Sequence, residues 1–378
     1  MDRFINNWMK WWNRLPSLPF LREEYKRRAK RINRYLLLLL TVAIVSACIS
    51  STTNQNQQRN SQTASTDCRL VSHAMGETEV CGQPQKVAVL FSPMLDRILA
   101  LGVQPAAYAE DDVNLNIQAY DNPTKQIPYL GQWVTTQPIS LGTSVAPSLE
   151  RLTLLKPDLI LGNYSLNSDK YSSLAQIAPT LLFNEYENPN DFWQTTIPEI
   201  AKALGREDRV KELLVEHEQK IAQARVALQP VLQSHPRVFV VSSGASATGF
   251  ALRPQSSTVR LLKKIGFEIV RPENVQGNLG KIEISAEILS EVETDLMIVL
   301  SYWDDYSKRF EDGIRAEDAM LEKWAQVPLL NSLPVFQQSR VFFVDFYLWS
   351  GSITGPLSDK LILEALPNLL LDSIKEET

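Results

Sequence analysis

The chain has 378 residues, with 38 Lys and Arg against 43 Asp and Glu, for a formal charge of −5. The first 47 residues hold ten of the basic and three of the acidic ones, so the remainder, 28 against 40, stands near −12. That acidity excludes a nucleic-acid partner, whose phosphates need basic patches, and roughly 310 residues exceed one hydrophobic core and predict two lobes.

Residues 1–34 are polar and basic, ending in Lys26-Arg27-Arg28-Ala29-Lys30-Arg31-Ile32-Asn33-Arg34; Tyr35 to Val45 is apolar, and Ser46-Ala47-Cys48 follows. A charged region, a short apolar run and small residues before a processing point mark residues 1–47 as a secretory signal. The apolar run is about a dozen residues, short of the roughly 20 a spanning helix needs, which weighs against an uncleaved anchor. Val45-Ser46-Ala47-Cys48 resembles the lipobox of bacterial lipoproteins, where the thiol takes the lipid. Cys48 is accordingly the expected lipidation site, and two or more acyl chains there hold the chain stably on a membrane. The leader before the apolar run is long. Either the true start lies downstream, or Arg27-Arg28 serves a twin-arginine export route.

Residues 48–67 read as a tether. Ser50 to Thr66 is nearly all Ser, Thr, Asn and Gln with no apolar periodicity, so it is expected to be disordered. Cys68 and Cys81 then bracket a hairpin-like stretch with Gly76 near its turn. Outside the cytoplasm a disulfide between them is the expected state, worth about 3 kcal/mol in the loop-entropy picture. A metal site at this pair lacks partners; His73 is the one other candidate ligand nearby.

From Lys86 onward, short apolar runs alternate with amphipathic stretches, the pattern of α/β units. Strands are expected at Val87–Phe91, Ala106–Ala109, Leu159–Gly162 and Thr180–Phe183, and helices at Pro93–Leu101, Pro147–Leu155 and Tyr171–Ile177. Asp111 to Pro138 is polar and proline-rich and reads as loop. Asp191 to Gln229 is the longest helical pattern, with a break possible at Gly205 and a stripe of Leu213, Leu214, His217, Ile221, Ala224 and Leu228. The alternation then restarts, with strands at Arg237–Ser242, Leu296–Leu300 and Val341–Val344, and helices at Thr258–Ile265, Glu287–Val292 and Pro356–Leu371. The expected architecture is α/β: two Rossmann-like lobes, residues 68–190 and 234–378, joined by a single long helix over 191–233 with a ligand cleft between them.

Enzyme signatures are missing: there is no Gly-x-Ser-x-Gly, no P-loop and no Gly-x-Gly-x-x-Gly after a strand. The three histidines, His73, His217 and His235, show no paired metal-ligand spacing. A binding protein with no covalent cofactor and no metal of its own is the better reading. Residues just past strand C-termini line the crevice of open α/β sheets. By that rule Tyr164, Trp303, Tyr306, Tyr347 and Trp349, with Trp133 in its Gly-Gln-Trp loop, are candidates for an amphipathic cleft. Core or surface packing is the competing reading for each alone. Arg253, past an apolar strand, can fork onto a ligand carboxylate or hydroxamate oxygen, with a surface ion pair as the alternative.

Several segments occur together in one order. They are Cys68…His73-Ala74-Met75-Gly76-Glu77-Thr78, Pro84-Gln85-Lys86-Val87-Ala88-Val89-Leu90, Leu141-Gly142-Thr143 with Pro147-Ser148-Leu149-Glu150, and Leu155-Lys156-Pro157-Asp158-Leu159-Ile160. Ile284-Ser285-Ala286-Glu287-Ile288-Leu289, Thr294-Asp295-Leu296-Met297-Ile298-Val299 and Ser339-Arg340-Val341-Phe342-Phe343-Val344-Asp345 with Trp349 complete the set. In order and spacing over some 290 residues the chain resembles the iron-siderophore substrate-binding proteins of ATP-driven uptake systems. The resemblance implies a monomer that captures a ferric siderophore, the iron being held by the siderophore, and hands it to an ABC permease with its ATPase. It also implies that Glu150 and Glu287 dock onto permease arginines; as acids in helix first turns they also favour the helix dipole. Hydroxamate binders of the group often carry Arg after the Gly before the Pro-x-Leu-Glu motif. Thr143 stands there, which leaves citrate-type and mixed siderophores open. Haem or a corrinoid on the same fold, with Tyr164 as the simplest haem ligand, is the second expectation, and an exported α/β enzyme the third.

Overall fold

The computed structural model describes residues 67–110, 117–184, 192–244, 249–272, 275, 281–302 and 316–371. Cys48, the leader and the tether lie outside them, as do Trp303 and Tyr306. The described chain opens on a hairpin, β1 (Cys68–His73) and β2 (Gly76–Cys81), whose antiparallel register sets Cys68 opposite Cys81. Their sulfurs are bonded. Ala74 N–H donates to Leu182 O at 2.8 Å, and His73 Nδ1 accepts from Leu182 N–H at 3.3 Å, which fastens the hairpin to the first sheet.

That sheet has five parallel strands, in the order β5 (Ile139–Ser140), β4 (Pro105–Tyr108), β3 (Val87–Val89), β6 (Leu159–Asn163) and β7 (Thr180–Phe183). β3, β6 and β7 are buried along their whole length, which is why they read as unbroken apolar runs rather than alternating ones. Helices α1 (Ser92–Ala100), α2 (Leu149–Leu155) and α3 (Tyr171–Ile177) connect the strands. Ser148 starts α2 by accepting the Arg151 N–H at 3.2 Å, an N-cap that satisfies one orphan donor.

The helical span expected over 191–233, with its break at Gly205, is divided there and again at Leu228, so one long helix joins the lobes but does not fill the whole range. α4 (Phe192–Leu204) ends where Gly205 turns left-handed at φ +62°, and α5 (Glu207–Ala227) begins two residues later. A short helix, Gln229–Ser234, follows. α4 buries Trp193, Ile197 and Ile200 in the first lobe. α5 runs from one lobe to the other: along its buried face Leu213 packs in the first core, while Ile221 and Ala224 pack in the second. Acids Glu207 and Asp208 in its first turn suit the helix dipole.

In the second lobe β8 (Arg237–Ser243), β12 (Leu296–Ser301) and β13 (Val341–Asp345) run parallel in that order. β9 (Phe250–Leu252) and β11 (Ile282–Ile284) extend the sheet antiparallel, and β10 (Glu268–Ile269) pairs with β8. Its helices include α6 (Ser257–Ile265), α7 (Ala286–Ser290), α8 (Ala316–Gln326), α9 (Phe346–Trp349) and α10 (Pro356–Leu371). Among the described residues no helix is long and apolar enough to cross a membrane.

Buried polar ties join the lobes. Asp359 on α10 accepts both Arg260 Nη atoms from α6 at 2.8 and 3.1 Å, His217 Nε2 from α5 at 3.0 Å, and Trp193 Nε1 from α4 at 3.0 Å. Burial works against its ionisation, but the Arg260 charge and the His217 and Trp193 bonds outweigh that and hold the carboxyl below its usual range. Asp96 on α1 accepts the N–H groups of Leu357 and Ser358 at 2.9 and 2.8 Å, closing the N-terminus of α10 from the opposite lobe. Only glycine fits at 355 beside it. A Cβ there would lie 2.2 Å from Asp96 Oδ1.

Candidate functional site

Parallel strands deliver their C-terminal ends to one edge of a sheet. In the first lobe that edge carries Ser92 after β3, Glu110 after β4 and Tyr164 after β6. In the second it carries Ser243 at the end of β8, Tyr302 after β12, and Phe346 and Tyr347 after β13. The two edges meet at one point. Tyr347 O–H donates to Glu110 Oε1 at 2.6 Å and lies 3.0 Å from Ser92 Oγ, so a side chain of the second lobe reaches the floor of the first. Tyr108 O–H also donates to Glu110, and Ser92 O–H donates to it at 3.0 Å. Burial, then the neighbouring Glu110 charge, push the Tyr108 phenol well above its usual range, so it stays a donor.

On the second lobe, at the ends of β8 and β12, is a cavity of about 390 Å³ lined by Ser242, Ser243, Arg253, Lys281, Glu283 and Tyr302, among others. The Arg253 guanidinium stands over the Phe346 ring, 4.6 Å from its centroid, a cation–π contact. Tyr302, substantially exposed, packs against the same ring with centroids 4.1 Å apart. One buried aromatic therefore carries both a cation and an exposed phenol in the wall of this cavity. Lys281 adds a second cation, paired with Glu283 at 2.8 Å. Across the cleft the Asn167 side chain holds the turn after β6, accepting Asn163 N–H at 3.1 Å and donating to Ser144 O at 2.8 Å, and Tyr164 stands exposed on that turn.

The sequence-derived candidates thus separate. Arg253, Tyr347 and Tyr164 stand at the cleft edges. Trp349 does not line it; the ring is buried in the second core, and its carbonyl accepts Thr258 O–H at 2.6 Å. Trp133 is also elsewhere. It closes a 3₁₀ turn, Leu130–Trp133, beside the start of β4, where its carbonyl accepts Gln104 Nε2 at 3.1 Å. There it lines a different cavity of about 410 Å³ with Leu99, Leu213, His217 and Lys360. A tryptophan in a loop carries no mark of which end of the sheet the loop serves. Glu150 and Glu287 are exposed first-turn residues of α2 and α7, and the Ser285 side chain holds Glu287 below the usual carboxylate range.

Four participants escaped sequence reading: Ser92, Tyr108, Glu110 and Tyr302. β12 runs one residue past its expected end, so Tyr302, not Trp303, is the first residue beyond the strand. Glu110, an acid directly after an apolar run, was a legible signal in the same way as Arg253. The model of the periplasmic binding protein family matches residues 87–348. The chain belongs to that family. It is 29% identical over 337 residues to the Fe(3+)-citrate-binding protein YfmC of Bacillus subtilis, covering 88% of this chain and 96% of that one. Over 357 residues it is 29% identical to the putative ABC transporter substrate-binding lipoprotein YhfQ of the same organism, covering 90% and 97%. Its fold is similar to that of Staphylococcus aureus SirA in complex with staphyloferrin B: TM-score 0.62, 22% identity, covering 79% of this chain and 97% of that one.

Proposed function

We propose that this periplasmic binding protein is the extracytoplasmic receptor of an ABC-type uptake system for a ferric siderophore bearing carboxylates. The carrying observation is the second-lobe cavity. Arg253, braced on Phe346 beside exposed Tyr302, offers a forked, permanently charged donor to a planar anion. Relatives named for ferric citrate binding support the ligand class. The siderophore supplies the iron's ligands, and the protein reads the shape and charge of the complex.

Exposed Glu150 and Glu287, one on each lobe, are the docking acids for a basic permease surface. Lipid on Cys48 confines the receptor to the membrane where that permease sits. Intrinsic fluorescence titration of the purified protein tests the ligand class. Ferric citrate or a carboxylate-bearing relative should quench saturably; silence to every ferric complex, with a Soret shift on adding haem, would transfer the cleft to haem.

A further inference from the structure

Glu110, Ser92, Tyr108 and Tyr347 are all buried, and the Glu110 carboxylate receives three hydroxyls: two from its own lobe and one from the other. A buried carboxylate is tolerated when its lone pairs are satisfied. Ser92 and Tyr108 fix the acceptor from within the first lobe, since Tyr108 O–H also lies 3.1 Å from Ser92 Oγ. Tyr347 then comes to a preorganised partner. Parting the lobes at this point would take one donor from Glu110 and leave the Tyr347 hydroxyl at the mouth of its own lobe.

Tyr347 also has a specific place in the cleft. It lies on α9 next to Phe346, the ring that supports Arg253 and Tyr302. α9 is itself fixed to β13 by Asp345 Oδ1, which accepts the Leu348 N–H at 3.2 Å. A bond that places Tyr347 on the first lobe therefore also bears on where the Phe346–Arg253–Tyr302 group lies relative to that lobe. We propose that Glu110 and Tyr347 are a positioning pair, acting through α9 to set how the ligand-reading group of one lobe faces the other. The pair touches no iron and acts through its neighbours. This rests on the cleft being the ligand site proposed above.

The test compares full-length wild type, Tyr347→Phe, Glu110→Gln and the double variant, with ferric citrate as probe. In ligand-free protein, hydrogen exchange at the amides of 346–349 should rise in each variant while β8 stays protected. Ferric citrate affinity should fall about tenfold in Tyr347→Phe, the scale of one charge-assisted hydrogen bond. The double variant should be no weaker than the worse single one, because one change removes the donor and the other the acceptor's charge from the same tie. Unchanged exchange at 346–349 in Tyr347→Phe overturns the proposal, as do penalties that add in the double variant, or faster exchange with wild-type affinity. If wild type itself ignores ferric citrate, the ligand class fails; the exchange measurement needs no ligand and still decides the tie.

Discussion

At the residue scale, Arg253 and Asp359 show two uses of buried or half-buried charge. Arg253 meets an aromatic face and lines a cavity, which is where the proposed function brings an incoming anion. Replacing it by Ala should weaken a carboxylate-bearing ferric ligand by about 10- to 100-fold, the range for a charged hydrogen bond of roughly 1.5–3 kcal/mol. Arg253→Lys keeps the charge without the fork and should fall between the two, as read by calorimetric titration. Asp359 has the opposite role, with its charge consumed by Arg260, His217 and Trp193. Asp359→Asn leaves the buried Arg260 guanidinium without its counter-charge and should destabilise by about 3–5 kcal/mol in urea unfolding. A loss below about 1 kcal/mol would show that the hub matters little. The position of Arg253 just past an apolar strand was readable; that the strand is antiparallel to β8, and that the side chain meets Phe346, was not. Trp349 was misread because the short helix after β13 sends neighbours different ways: Tyr347 to the other lobe, Trp349 into the core. Strand-end position alone does not resolve a rotation of about 100° per residue.

At the element scale, α5 was the most legible part of the fold. Its stripe, Leu213, His217, Ile221 and Ala224, returns to one face at steps of four, four and three, as a helix requires. What periodicity could not show was that the upper part of the face serves one lobe, the lower part the other, and that His217 between them serves the tie to Asp359. The start of α10 gives an element-scale prediction. Burial raises the Asp96 carboxyl to about 6, with the Leu357 and Ser358 N–H groups working against that rise. Below about pH 4 the carboxyl is protonated in folded and unfolded chains alike. From about 4 to about 6 only the unfolded chain ionises, so Asp96 makes stability fall as pH rises, and above about 6 its slope vanishes. Asp96→Asn should remove that component: the difference in thermal midpoint between variant and wild type should grow in the variant's favour from pH 4 to 6, then level. A difference independent of pH would contradict the assignment.

At the scale of the whole molecule, two lobes with parallel strands at their centres and one helix between them were readable from alternating apolar runs, because strands buried on both faces leave a distinctive signature; the antiparallel extension of the second sheet by β9 and β11 was not. The cleft's inner wiring was not. Ser92, Glu110 and Tyr347 meet across more than two hundred residues, and no local pattern encodes such a meeting. The proposed function needs two separable surfaces at this scale: a cleft for ligand, and exposed acids that a permease would meet. Glu150→Ala with Glu287→Ala should abolish uptake by whole cells while leaving affinity for the ferric ligand unchanged; lost affinity would contradict the docking role. The central claim is that the cleft receives a ferric complex through Arg253. Equilibrium dialysis of purified wild type and Arg253→Ala against radioiron-labelled ferric citrate tests it most directly. Saturable retention by wild type, with retention by Arg253→Ala reduced about tenfold or more, is the expected result; equal retention by the two proteins would contradict it.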